Sequence, residues 1–304
     1  MGYRFRRKER TDRGASRVAR EEIGAALAHL AAGDGDVDVH VHEARKSVKK
    51  LRALLRLVRR PLGARFKRED LALRDIGRSL RAWRESAVVA RTAEALRDAA
   101  GNSGRAEQWQ AVVELLTGDA GNNTPHIDRF RAAAGPTAFA LRIRESALDD
   151  WRLDDDGFEL IAPGLRHIHK RVRRGFHKTF ESDDPHASHQ WRRHVKYHWY
   201  HVRLLEDAWP ERLTGYRTML GELAEFLGDE HDLMDLAQRL AQLKAARRAR
   251  ALDVPALNAD IARAREALRA ESRRLGAYIT AEPSDALVAR LRAYHQAWKR
   301  DSAA

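Results

Sequence analysis

The regular spacing of apolar residues is the feature that most limits how this chain can fold. Apolar residues recur every three or four positions along nearly the whole chain, which places them on one face of an α-helix. Short clusters of Gly, Pro and Asn interrupt the pattern, and no segment shows the alternation typical of strands. We therefore predict an all-α protein with long helices near residues 11–32, 38–60, 65–99, 105–117, 126–152, 158–181, 186–209, 211–246, 255–276 and 283–299.

An internal repeat indicates how these helices are organised. The segment from His42 to Lys49 resembles the segment from His189 to Lys196. The same offset aligns further pairs, namely Arg56 with Arg203, Leu80 with Leu227, and Glu85 with Asp232. One offset that holds across two successive helices without a gap predicts two related halves, residues 1–150 and 151–304.

The repeated helix carries a basic face opposite an apolar face. In the first copy one arc of the helical wheel holds His42, Arg45, Lys49, Arg52 and Arg56, with Lys46 and Lys50 at its margin. In the second copy the same arc holds His189, Arg192, Lys196 and Arg203, with Arg193 beside it. Like charges one turn apart repel each other, so such a row favours a bound anion or acidic neighbours. We predict that both rows bind an anionic partner.

The first helix of each half carries a shorter basic row. These rows contain Arg13, Arg17 and Arg20 in the first half, and Lys170, Arg173 and Arg174 in the second. If the first and second helices of a half pack antiparallel, their basic rows would line a shared groove. We therefore include these cations among the candidate binding residues.

Charge and composition narrow the classes of partner. The chain has 57 Lys and Arg against 44 Asp and Glu, a net charge of +13, which favours polyanions. The absence of Cys excludes disulfides and thiolate metal sites and is consistent with a reducing, cytoplasmic location. No apolar run approaches the ~20 residues that span a bilayer, so we expect no membrane insertion.

The basic helices also carry a family resemblance. The segment Val41–Leu55 resembles the signature helix of the CHAD family, the conserved histidine α-helical domain, and His189–Arg203 is similar to its second signature. Leu227–Asp232 and Tyr3–Phe5 resemble two further family segments. The resemblance implies two pseudo-symmetric four-helix bundles with a basic groove or cavity. It also implies binding of inorganic polyphosphate, without catalysis or cofactor, and association with polyphosphate granules. Other polyanions are further candidate partners.

Other functions remain open from the residues alone. His194, His198 and His201 lie at metal-ligand spacing on one helix, but the surrounding cations disfavour a metal ion there. Glu85 and Asp232 recur at equivalent positions, and we predict that they support the basic residues rather than catalyse a reaction. The alternative functions are nucleic-acid binding, in which aromatic side chains stack on bases, and a metal-dependent phosphohydrolase.

Overall fold

The computed structural model describes residues 2–32, 36–80, 85–118, 124–153, 156–182, 184, 186–246 and 248–300. Regular structure in these ranges is helical, which confirms the all-α prediction. The helices are α1 Thr11–Ala31, α2 Val37–Leu57, α3 Arg59–Leu62, α4 Ala64–Ser79, α5 Glu85–Ala100, α6 Gly104–Gly118, α7 Thr124–Ser146, α8 Ala162–Glu181, α9 Ala187–Leu205, α10 Pro210–Ala245, α11 Val254–Ala281 and α12 Ser284–Arg300. Short 3₁₀ turns at Phe158–Leu160 and Glu206–Ala208 precede α8 and follow α9.

The observed helices differ from the predicted ones at a few boundaries. The predicted helix 65–99 is described as α4 and α5, and residues 81–84 lie outside the described part. The predicted helix 38–60 ends at Leu57, and Gly63 follows α3 with φ +50°, a left-handed conformation that favours glycine. Helix α7 ends at Ser146 and continues as turns, whereas α11 runs on to Ala281. Apolar spacing therefore located the helices but not every end.

Close helix contacts depend on glycine at a few positions. Gly164 in the first turn of α8 lies against the end of α2. A Cβ added there would fall 2.6 Å from both the Arg56 carbonyl oxygen and the Leu57 carbonyl carbon, and closer still to the Leu57 oxygen. Gly175 of α8 and Gly276 of α11 similarly leave room for the ring of Trp191, which is fully buried in α9. These glycines allow α8 to pack tightly against α2, α9 and α11.

Two apolar cores hold the described helices together. The larger core takes residues from α1, α2, α3, α4, α7, α8, α9, α10, α11 and α12, and the smaller one from α5, α6, α10 and α11. Both cores contain residues from either side of position 150, because α10 packs against α5, α9 and α11 while α2 packs against α1, α4 and α9. The division into halves at residue 150 stays a prediction from the repeat. None of the helices in the described ranges is long and apolar enough to cross a bilayer.

Candidate functional site

A cavity of about 1510 Å³ opens between α2, α5, α9, α10 and α11. Its basic lining comes mainly from the two copies of the repeated helix: His42, Arg45, Lys49 and Arg52 from α2, and His189, Arg192, Arg193 and Lys196 from α9. Helices α2 and α9 are in direct contact, since His201 Nε2 donates a hydrogen bond to the Ala53 carbonyl oxygen at 2.8 Å. The structure thus brings most of the two predicted basic rows to one cavity.

Arg192 lies over the backbone of α10 at Gly228. A Cβ on that glycine would come within 2.9 Å of Arg192 Nη2 and 3.4 Å of Cζ. Only glycine at position 228 therefore leaves enough room for the Arg192 guanidinium group where it lies. Gly228 of the Leu227–Gly228 pair therefore has a physical role, because it lets Arg192 of α9 lie close to the backbone of the facing helix.

Lys196 is a partly buried cation of the cavity lining. Its Nζ lies 4.6 Å from the centre of the Trp199 ring, a cation–π distance. Burial lowers the pKa of Lys196, the Arg192 and Lys46 charges lower it further, and Glu225 opposes the shift. An anion in the cavity would favour the charged ammonium and so oppose the effect of burial.

The wall formed by α10 is acidic. Glu225, Asp229, Asp232 and Asp235 all line the cavity. Burial raises the pKa of Asp229, the Asp232 and Glu225 charges raise it further, and Arg192 lowers it. Eight Arg and Lys side chains line the cavity against these four carboxylates, because Arg91 of α5 and Arg239 of α10 add to those of α2 and α9. The cavity therefore carries an excess of positive charge, concentrated on the α2 and α9 side.

Histidines connect the basic wall to the acidic wall. The rings of His189 on α9 and His231 on α10 lie with their centres 4.7 Å apart. His231 Nε2 in turn lies 3.7 Å from Asp235 Oδ2. His189, the first residue of the second basic row, is thus in contact with α10 at the cavity edge. His42 lines the cavity at the corresponding position of α2.

The remaining cations of the repeated helices are not in the cavity lining: Lys46, Lys50, Arg56 and Arg203. Lys50 Nζ is 2.7 Å from Glu22 Oε1, and Arg56 donates two hydrogen bonds to the Asp70 carboxylate at 2.7 and 2.8 Å. Lys46 Nζ lies 3.1 Å from the Glu43 carboxylate, and Arg203 Cζ lies 5.6 Å from the centre of the Trp199 ring. These side chains therefore have partners within the fold.

The shorter basic rows of α1 and α8 do not reach the cavity lining either. Arg17 binds Glu9 through two nitrogens at 2.6 and 2.9 Å, and Arg20 contacts Asp149 at 2.6 Å. Arg173 Nε donates to the Thr280 carbonyl oxygen at 3.0 Å. The other members, Arg13, Lys170 and Arg174, are exposed. Helices α1 and α2 pack together, yet their basic rows do not form one groove with the cavity.

The predicted supporting acids and the histidine row have different outcomes. Asp232 lines the cavity, whereas the side chain of Glu85, the first residue of α5, lies outside the described part.

His198 and His201 are fully buried, with His198 Nε2 2.8 Å from the Tyr216 hydroxyl. Burial holds the pKa of His201 at about 4. Across the described residues, no group of three or more His, Asp or Glu has the arrangement of a metal site.

Several cavity residues were missed by sequence reasoning. They are Arg91, Glu225, Asp229, His231, Asp235 and Arg239. The acids follow one face of α10 at helical spacing, so a helical wheel of that segment would have placed them together. Arg91 had no comparable signal, because its place depends on how α5 packs against α10.

Comparison with known proteins identifies the family. The model of the CHAD domain matches residues 17–241. This chain belongs to the CHAD family. The crystal structure of the CHAD domain from the plant Ricinus communis is similar in fold, with a TM-score of 0.53 and 19% sequence identity over 93% of this chain and 90% of that chain. No curated protein sequence matches this CHAD protein.

Proposed function

We propose that this CHAD protein binds inorganic polyphosphate in the cavity between α2, α9 and α10. The observation that carries the proposal is the convergence of both repeated basic rows on one cavity. CHAD domains are in general linked to polyphosphate binding. A polymer with one negative charge per phosphate suits a row of cations about one helical turn apart, and Arg offers paired donors to phosphate oxygens.

The acidic wall supports a particular path for the polymer. Like charges repel, so Asp229 and Asp232 on α10 disfavour phosphate along that wall, whereas Lys49 of α2 and Arg192 of α9 favour it. The polymer therefore lies against α2 and α9. The same wall distinguishes the cavity from a uniformly basic surface, which would bind any polyanion through charge alone.

The aromatic residues give less support to nucleic acid. Base stacking requires exposed aromatic rings beside a basic track. Among the described residues the aromatic side chains that line the cavity are Tyr197 and Tyr200, and both are buried. Trp191, a candidate for stacking in the sequence, is fully buried in the core.

The binding proposal is tested by removing one cation from each basic row. We expect Lys49→Gln combined with Arg192→Gln to weaken polyphosphate binding by at least roughly tenfold, because hydrogen bonds to charged groups contribute ~1.5–3 kcal/mol each. The matched control, Lys244→Gln with Arg142→Gln, removes the same charges from exposed positions outside the cavity. Affinity is measured by titration calorimetry, with thermal melts to confirm folding.

Two results would overturn the proposal. Equal losses in the cavity variant and the control would show that net charge, not a site, governs binding. Displacement of labelled polyphosphate by RNA or DNA as effectively as by unlabelled polyphosphate would show a general polyanion binder.

The cellular role follows from the same chemistry. CHAD domains are generally non-catalytic binding domains, and we propose that this one acts by binding in the cytoplasm, where it associates with polyphosphate granules. Fluorescence imaging of the tagged protein in cells with and without polyphosphate tests this role. Unchanged foci in cells without the polymer would contradict it.

A further inference from the structure

A second group of cations lies outside the cavity, where the end of α2 and the short α3 meet α8 and α9. We call it the His167 cluster, and its members are Arg56, Arg59, His167, Arg171, Arg174 and His194. Neither His167 nor Arg171 belongs to the basic rows identified in the sequence, and neither lines the cavity. The cluster is a product of how α3 and α8 pack beside α9.

The two histidines of the cluster are neutral at neutral pH. Arg59 Nη1 lies 2.7 Å from His167 Nε2, and because a guanidinium only donates, Nε2 accepts and carries no proton. Burial lowers the pKa of His167 to about 4, and the charges of Arg59, Arg171, Arg174 and Arg56 contribute. Burial lowers the pKa of His194 to about 4 as well, with further contributions from Arg193, Arg171, Arg56 and His167.

The arginines of the cluster are only partly compensated by acids. Asp70 holds Arg56 through two hydrogen bonds and also accepts one from Arg52 at 2.9 Å. Arg171 and Arg174 are exposed, and no carboxylate of the described residues forms an ion pair with either. Several positive charges therefore gather around two neutral imidazoles, and among the described residues Arg56 is the cluster arginine that pairs with a carboxylate. A bound anion would relieve their mutual repulsion.

The cluster is continuous with the cavity wall. Arg193 lines the cavity and is the charged neighbour with the largest effect on His194. Arg52 also lines the cavity and shares Asp70 with Arg56 of the cluster. On α8, His167, Arg171 and Arg174 follow one face over ~10 Å of helix. Cations thus continue from the cavity onto the outer face of α8.

We propose that the His167 cluster is a second phosphate-binding site, which holds the part of a polyphosphate chain that extends beyond the cavity. This inference rests on the proposed function. Exposed guanidinium groups one turn apart supply paired donors to successive phosphates. A short oligophosphate is held by the cavity alone, whereas a long chain reaches both sites. The cluster therefore gives the protein a preference for long chains.

The test compares long-chain polyphosphate with tripolyphosphate, using the full chain in titration calorimetry. We expect Arg171→Gln combined with Arg174→Gln to weaken binding of the long chain by about tenfold, because two charge-assisted contacts are lost. Binding of tripolyphosphate should stay unchanged. The matched control, Arg142→Gln with Arg250→Gln, removes two exposed arginines that are not members of the cluster and should leave both affinities unchanged.

The outcomes separate this inference from the proposal on which it rests. Wild-type affinity of the cluster variant for the long chain would overturn the second site and leave the cavity proposal standing. An equal loss for both ligands, or an equal loss in the control, would also overturn it, since the effect would then be general charge. If the wild-type protein binds neither ligand, both proposals fail.

Discussion

At the scale of single residues, the cavity depends on Gly228, which has no side chain in the space that Arg192 occupies. The guanidinium of Arg192 occupies the space that a side chain at position 228 would need. The neighbouring group is the end of a flexible arginine, so a methyl group there would displace the arginine rather than unfold the helix. We therefore expect a substitution at Gly228 to affect binding and stability differently.

We predict that Gly228→Ala lowers affinity for polyphosphate by roughly tenfold, the value of about one charge-assisted hydrogen bond. The free energy of unfolding should stay the same or rise, since Ala favours a helix over Gly by up to ~1 kcal/mol. Gly215→Ala, on the same helix with nothing within 4 Å of the added Cβ, is the matched control and should leave binding unchanged. Wild-type binding by Gly228→Ala would contradict the geometry.

At the scale of elements, close contact between helices comes from small residues facing backbone. Gly164 differs from Gly228 because its neighbours are the carbonyl groups of Arg56 and Leu57 rather than a mobile side chain. Backbone at the end of α2 cannot move without moving the helix that carries Arg45 and Lys49. The packing of α8 on α2 is therefore linked to the position of the basic row.

We predict that Gly164→Ala lowers the free energy of unfolding by roughly 1–3 kcal/mol, the cost of forcing extra volume into a filled contact. Gly24→Ala in α1, where an added Cβ meets nothing within 4 Å, should instead stabilise by up to ~1 kcal/mol. Urea unfolding followed by circular dichroism measures both. If the two variants have the same stability, the close approach of α8 to α2 is wrong.

The helices themselves could be predicted from the sequence because their signals are local. The apolar spacing and the breaks located α1, α6, α10 and α12 to within a residue or two. The same residues also gave the basic faces of α2 and α9. The sequence did not predict which cations form ion pairs, because the partners lie on other helices. Lys50 pairs with Glu22 of α1, and Arg56 pairs with Asp70 of α4.

At the scale of the whole molecule, the two basic rows meet because α2 and α9 pack against each other across the larger core. The contact includes a buried histidine, His201, whose Nε2 donates to the Ala53 carbonyl oxygen. Nearby, His198 bonds to Tyr216, and His169 Nδ1 lies 2.9 Å from Ser284 Oγ. The core that positions the cavity therefore contains imidazoles that must remain neutral, which makes its stability depend on pH.

Burial is the main cause that lowers the pKa of His169 and of His201 to about 4, and it lowers that of His198 as well. An unfolded histidine has a pKa near ~6.5, so between about pH 4 and 6.5 the unfolded chain binds more protons than the folded one. The stability that these neutral histidines contribute is thus fully present above about pH 6.5 and is lost as the pH decreases. For one such histidine the free energy of unfolding decreases by roughly 3 kcal/mol on going to pH 4, at about 1.4 kcal/mol per pKa unit.

We therefore predict that the urea midpoint falls between pH 7 and pH 5, a window above the titration of the carboxylates that arginines stabilise, such as Asp70. His201→Gln keeps a donor for the Ala53 carbonyl and removes one titrating group, so its midpoint should fall less steeply over the same window. Parallel slopes for wild type and His201→Gln would mean that this imidazole is not held neutral at the contact that joins α2 to α9.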